Sequence, residues 1–281
     1  MRHLLFATFR RLFKGALFWI GMLAMAGLGV FVTVSRAINN RVLPNMGYDT
    51  PDGLLFVGLT YFLITAAVFD SLFIGAEHKD CTWRNKLLAG YNKLQIYFAY
   101  LAVTTVANLL MHLAYVVAVL GTSAPLLNSF HTPTNVNVTF FFCSLATVVA
   151  LNALMVTLSM LVQNRAVVAV ACMLLAIVLM LGGMSVFQAL LEPEFLSGPP
   201  STVNGVLMPA PEPVPNPNHL TGAKRAFFQF LHDLSPGGQA LTIGMNDTLP
   251  PNVWQLPLYS AFLTLLCTLG GAWGFCKKDL I

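Results

Sequence analysis

The 281-residue chain is 57% hydrophobic and 9% charged, with a net charge of +4 and a mean hydropathy of +0.72. A soluble domain carries about 25% charged residues, so the composition excludes an ordinary soluble enzyme and leaves a chain built for lipid. No nucleic-acid partner is expected.

The first fourteen residues, MRHLLFATFRRLFK, place Leu5, Phe6, Phe9, Leu12 and Phe13 on one helical face and His3, Ala7, Arg10, Arg11 and Lys14 on the other. That pattern predicts an interfacial helix over 1–15, with its cations toward anionic headgroups of the membrane lipid. Six apolar stretches follow, at roughly 16–35, 53–75, 97–121, 136–162, 166–188 and 255–276. Each is long enough at 1.5 Å per residue to cross a hydrocarbon core of roughly 30 Å. A cleavable signal peptide is the competing reading of the first, and twenty apolar residues are too many for one. With both termini cytoplasmic, Arg2, Arg10, Arg11, Lys14, Lys79, Arg84, Lys86, Lys93, Arg165, Lys277 and Lys278 lie inside, against Arg36, Arg41, Lys224 and Arg225 outside. The excess of basic residues inside favours this orientation. Cys143, Cys172 and Cys267 fall in spans and Cys81 and Cys276 near the inner face, which suggests no disulfide framework. The sequons at Asn137 and Asn246 matter only in a host that glycosylates them.

Between spans two and three stands a polar segment, 77–96, that begins EHKDCTWRNKLLAGYNKLQI. Thr82 is a suitable N-cap and Gly90 a suitable residue after a helix, so Trp83 to Ala89 reads as a two-turn helix. An exposed Trp83 beside Arg84 would make a protein docking site, since both residue types anchor interfaces. A surface helix that merely orients the spans is the plainer alternative. Between spans five and six lie 66 residues, 189–254. The proline-rich first half opposes helix and central strand. In the second half, Thr221 caps a predicted helix with Phe227, Phe228, Leu231 and Leu234 as its apolar face, broken at Pro236 and Gly237. We expect a helical lid on the outer leaflet, with Phe227 and Phe228 holding the outer end of the path shut.

Within the spans, Asp70 is costly unless paired or hydrated, and a latch to Lys79 or Arg165 or contact with interface water would meet the cost. Asn108 and His112 share a face of span three, where they could line a path or bond between helices; Asn152 and Gln188 invite the second reading. Small-residue runs in spans one, five and six (AMAGLG, MLGGM, LGGAWG) allow close helix contact, within the bundle or across a dimer seam. No G-x-x-x-x-G-K-[ST] phosphate loop, H-E-x-x-H zinc motif or G-x-S-x-G elbow occurs, so the chain is expected to be no enzyme and to hold no cofactor of its own.

Glu77, Thr82, Arg84, Asn85, Lys86, Leu87, Leu88, Gly90, Gln95, Ile96 and Tyr97 resemble the E-x-x-x-G-T-x-R-N-K-L-x-x-G-x-x-R-x-x-I-Y segment of ABC-2 type permeases. The chain departs at Cys81, where glycine is common, and at Lys93, where arginine is frequent. Leu234, Pro236, Gly238 and Gln239 are similar to the L-x-P-x-G-Q before the last span, and Phe275, Lys277, Lys278, Asp279 and Leu280 to the F-x-K-K-D-L ending. The resemblance implies an all-α polytopic membrane protein of six spans in a bacterial plasma membrane. It implies a coupling helix that docks on a separate ATP-binding cassette subunit, present in two copies and carrying the ATP and Mg. A second permease, identical or similar, would complete the pair. Glu77, Thr82, Trp83, Arg84, Asn85, Lys86 and Leu87 become partner-coupling residues, and export of an amphipathic or hydrophobic substrate becomes the expected function. The substrate class stays open among peptides or bacteriocins, drugs and lipid-linked sugars. A non-transporting receptor or assembly subunit, with the lid as its binding surface, is the alternative.

Overall fold

A computed structural model describes residues 1–43, 50–79, 82–196, 201–203, 206–208, 213–246 and 248–278. It begins with α1 (Arg2–Lys14), α2 (Ala16–Val42), α3 (Leu54–Lys79), the short α4 (Thr82–Leu88), α5 (Lys93–Leu126), α6 (Thr134–Leu161) and α7 (Arg165–Leu191). Four strands of two or three residues follow: β1 (Phe195–Leu196), β2 (Ser201–Val203), β3 (Val206–Met208) and β4 (Val214–Pro215). They pair antiparallel, β1 with β4 and β2 with β3, as isolated two-stranded pieces. The chain ends in α8 (Gly222–Leu234), α9 (Pro236–Met245) and α10 (Gln255–Lys277).

Six helices, α2, α3, α5, α6, α7 and α10, are long and apolar enough to cross a membrane. They outrun the predicted stretches where no breaker stops them: α2 continues past Ser35 to Val42, ahead of Pro44. Within α5, Pro125 is followed by only one further helical residue, Leu126. The core is α3, α5 and α6, each burying half or more of its apolar window, whereas α2, α7 and α10 bury under a third. Close backbone approach uses glycine at two crossings. A Cβ on Gly29 of α2 would stand 2.9 Å from the Tyr115 carbonyl of α5, and one on Gly183 of α7 2.8 Å from the Gly237 backbone of α9. The small residues of AMAGLG and MLGGM therefore serve packing within the bundle, while Gly27 and Gly182 meet nothing within 4 Å.

The predicted helix after Thr221 forms as α8 and stops at Leu234, ahead of the break expected at Pro236 and Gly237. The chain then resumes as a second helix that was not expected, with Pro236 in the first turn of α9, where its missing N–H costs nothing. The two helices form a hairpin in which α9 is buried against α3, α6 and α7, while α8 packs on α7, α9 and α10 and is exposed along most of its length. Gln239 donates to the Asp233 carbonyl at 2.7 Å and the Leu256 carbonyl at 3.2 Å, while its own carbonyl accepts from Thr147 and Ser260 at 2.7 Å each. Thr147 is near the middle of α6, which sets the depth of the turn. Backbone interrupted at such depth is tolerated only when protein satisfies it, and Gln239 supplies that satisfaction. Nearer the surface, Asp52 accepts from the His131 and Thr132 N–H groups at 2.9 Å each and ties two loops together.

Candidate functional site

Glu77 ends α3 with its carboxylate fully buried. It pairs with Arg11 of α1, accepts from the Thr82 hydroxyl, and accepts from Lys86 at 2.6 Å. The Lys86 ammonium also donates to the Tyr100 hydroxyl and lies 5.1 Å and 4.5 Å from the Trp83 and Tyr100 ring centroids. Burial and the like charge of Arg11 push the Lys86 ammonium down to about 7. The carboxylate at 2.6 Å acts in the opposite sense by favouring the charged form.

Trp83 is the structural pin of α4. Its ring is 4% exposed and packs 4.9 Å from Tyr100 and 5.7 Å from Phe275 of α10. Its Nε1–H donates to His78 Nδ1 at 3.2 Å, which leaves His78 Nε2–H to donate to the Ser159 carbonyl of α6 at 3.1 Å. The expectation of an exposed tryptophan is therefore overturned: an indole with a partner for its N–H and aromatic rings around it is more stable buried than wet. Thr82 likewise lies inside α4 and bonds back to Glu77 without capping the helix. Gly90 fulfils its predicted role, with φ +87°, Gly90 N–H donating to Leu87 O and Tyr91 N–H to Lys86 O, the paired bonds of a Schellman ending. Asn92 and Gln95 form a reciprocal capping box that starts α5 one residue later.

The face of α4 left over is Arg84, Asn85 and Leu88, with Leu88 78% exposed. Lys86 and Leu87 are half-buried. Around this helix the ends of other elements are tied together: Lys93 donates to the Cys276 and Lys278 carbonyls at 3.0 Å and 2.6 Å, and Lys278 to the Leu161 carbonyl at 2.7 Å. Sequence reading missed Arg11, Tyr100 and His78 as members of this site. Arg11 was visible only as one of four cations on α1, and nothing local marks which of them meets Glu77. Lys79 has no described side chain, and Cys81, Asp279 and Leu280 lie outside the described residues.

The intramembrane polar residues form a separate set. Asp70 is fully buried and is latched to no cation among the described residues; its two oxygens accept from Asn108 Nδ2 at 3.0 Å and 3.1 Å. Asn108 also donates to Asn152 at 2.9 Å, and Asn152 to Thr105 at 2.7 Å. His112 Nε2 shares a 2.9 Å hydrogen bond with Ser144. These are bonds between helices in the core, with Asn108 and His112 fully buried.

Phe227 and Phe228 do not close the hairpin against the bundle. Phe227 is 57% exposed and Phe228 half-buried, while Gln229, His232 and Asp233 face inward. The apolar residues of α8 thus lie on its exposed side and these polar ones against α7 and α9. No group of three or more His, Cys, Asp or Glu placed to hold a metal ion occurs among the described residues. No protein-family model and no curated protein matches the chain.

Proposed function

We propose that the chain is the permease subunit of an ATP-driven exporter of the ABC-2 type, working in a bacterial plasma membrane with both termini cytoplasmic. It pairs with a second permease and is driven by two ATP-binding subunits, which carry the ATP and Mg. The observation that carries this reading is the division of α4 into two faces. Trp83, Thr82 and Lys86 bind it to α3, α5 and α10, while Arg84, Asn85 and Leu88 are exposed, with no side-chain partner among the described residues. A helix that only oriented the spans has no need of both an internal anchor to three helices and an exposed Arg and Leu. A helix that receives force from a soluble partner needs both. The cargo is amphipathic or hydrophobic, since Asp70, Asn108 and His112 are fully buried and bonded between core helices, with only Asn108 Oδ1 and His112 Nδ1 left without a partner among the described residues.

The reading is tested by co-expression with ATP-binding cassette subunits from its own genome. Replacing Arg84 and Leu88 together by alanine abolishes co-purification while the six spans still insert, and Phe275→Leu, which loosens the buried side, leaves co-purification in place but lowers ATP turnover. Full retention of the partner by the double variant contradicts the proposal. The receptor alternative draws on a different observation, a polar cavity at the far end of the bundle.

A further inference from the structure

That cavity lies between the last turn of α7, the inward face of α8, the end of α9 and residues 250–252, with a volume of about 270 Å³. Its walls differ from the rest of the bundle. Arg225, Gln229, His232 and Asp233 of α8, with Asn246 and Asn252, converge on it. Arg225 stands at the mouth: its guanidinium reaches the Leu190 carbonyl at the end of α7 and the Leu220 carbonyl, at 3.4 Å and 3.5 Å, contacts long enough to leave donors free. Asp233 is two turns further along α8, toward the deep turn of the hairpin, and is 4% exposed. One of its oxygens accepts from Gln229 at 2.9 Å. His232 bonds Thr242 through Nε2 at 2.7 Å and stacks on Phe187, while its Nδ1 is buried without a hydrogen-bond partner among the described residues. Among the described residues, the formally charged groups that face the cavity are thus a cation at the rim and an acid at the floor, separated by about 12 Å along the helix.

We propose that this cavity binds a zwitterionic dipeptide, entering from the face opposite the termini, with its ammonium on Asp233 and its carboxylate on Arg225; two residues span about 7 Å, and a hydrogen bond at each end covers the rest of the separation. Size and polarity order both argue for this class. The volume holds a dipeptide and not an oligosaccharide or a folded peptide. A buried carboxylate with a single neutral donor gains most from a cation that brings several donors, and the ammonium brings three. An ethanolamine phospholipid carries the same two charges in the opposite sense. Its acyl chains lie in the leaflet, so its ammonium points outward and would meet Arg225 first, like charge against like. A dipeptide bound with its amine inward instead leaves its carboxylate, not its ammonium, beside Arg225. The inference does not depend on the permease reading, because a receptor and an exporter could both carry such a site.

The test is calorimetric titration of the intact protein in phosphatidylglycerol nanodiscs, which contain no amine lipid, with L-alanyl-L-alanine, its N-acetyl derivative and its C-terminal amide. The dipeptide binds saturably, and each blocked derivative binds at least tenfold more weakly. Arg225→Gln, at the exposed rim where folding is not at stake, removes the preference for the free carboxylate. Asp233→Asn removes the preference for the free amine. No saturable binding of the dipeptide, or equal binding of all three compounds, overturns the proposal. So does retention of phosphatidylethanolamine over phosphatidylglycerol in native mass spectrometry with no response to the dipeptide, which would assign the cavity to lipid.

Discussion

Glu77 holds two cations where water does not reach its own oxygens, while Arg11 and Lys86 keep 37% and 20% of their side-chain exposure. Removing one member of a buried pair costs about 3–5 kcal/mol because the remaining charge is stranded. Since both cations retain some hydration, Glu77→Ala is expected near the lower end, about 3 kcal/mol, read as a fall in thermal unfolding temperature in detergent. Asp70 presents the contrasting case of a buried carboxyl with no cation beside it among the described residues. Asp70→Asn keeps an acceptor for Asn108 and is expected within about 1 kcal/mol of the native protein, whereas Asp70→Ala leaves the Asn108 amide only its bond to Asn152 and one buried N–H without an acceptor, at a cost of about 1–3 kcal/mol. A large loss for Asp70→Asn would show that the charge itself is needed. The sequence marks Asp70 as costly, but its partners are 38 residues away and, through Asn108, 82 residues away, a pairing that only the crossing of α3, α5 and α6 creates.

At the scale of elements, the α8–α9 hairpin carries two predictions. Burial pushes the His232 imidazole down to about 4, from 6.5 in an unfolded chain. A lowered histidine value means that the folded state holds the neutral ring, so stability is complete above 6.5 and is lost as pH falls toward 4. The gap amounts to about 3 kcal/mol at most. Hydrogen exchange of residues 222–245 should therefore accelerate between pH 6.5 and 4, and His232→Gln should flatten that dependence. Gly237 abuts the Leu179 backbone of α7. Gly237→Ala forces the two helices apart and is expected to cost about 1–3 kcal/mol, seen as loss of protection in the same segment. Apolar runs of twenty residues made the six spans legible in the sequence. The helix α4 and its glycine ending were legible too, because capping is local. The second helix of the hairpin was not, since nothing local shows that a helix resumes at Pro236 or that Gln239 meets the Asp233 carbonyl of the turn and the Leu256 carbonyl of α10. The inward face of α8 was misread because the usual rule that apolar residues turn inward presumes water outside.

For the whole molecule, α1, α4 and the end of α10 share one end, tied by Arg11, Glu77, Trp83 and Lys93, and the zwitterion-binding cavity lies at the other. The orientation is checked by an impermeant maleimide on intact cells. Asn218 is exposed and suits an introduced cysteine, whereas Asn216 is buried on Glu192 and Pro193 and Asn45 lies outside the described residues. Cysteine at Asn218 should label from outside, and cysteine at the exposed Ala89 should label only after permeabilisation. The central claim, that an ATP-binding subunit grips the free face of α4, is tested most directly by a photo-cross-linking residue at Leu88 in cells co-expressing ATP-binding cassette subunits of the same genome. The account predicts a covalent adduct with one of those subunits from Leu88 and none from a control position at the lipid-facing Leu265 of α10. An adduct from neither position, in cells where this chain and the subunits are present at normal levels, would contradict it.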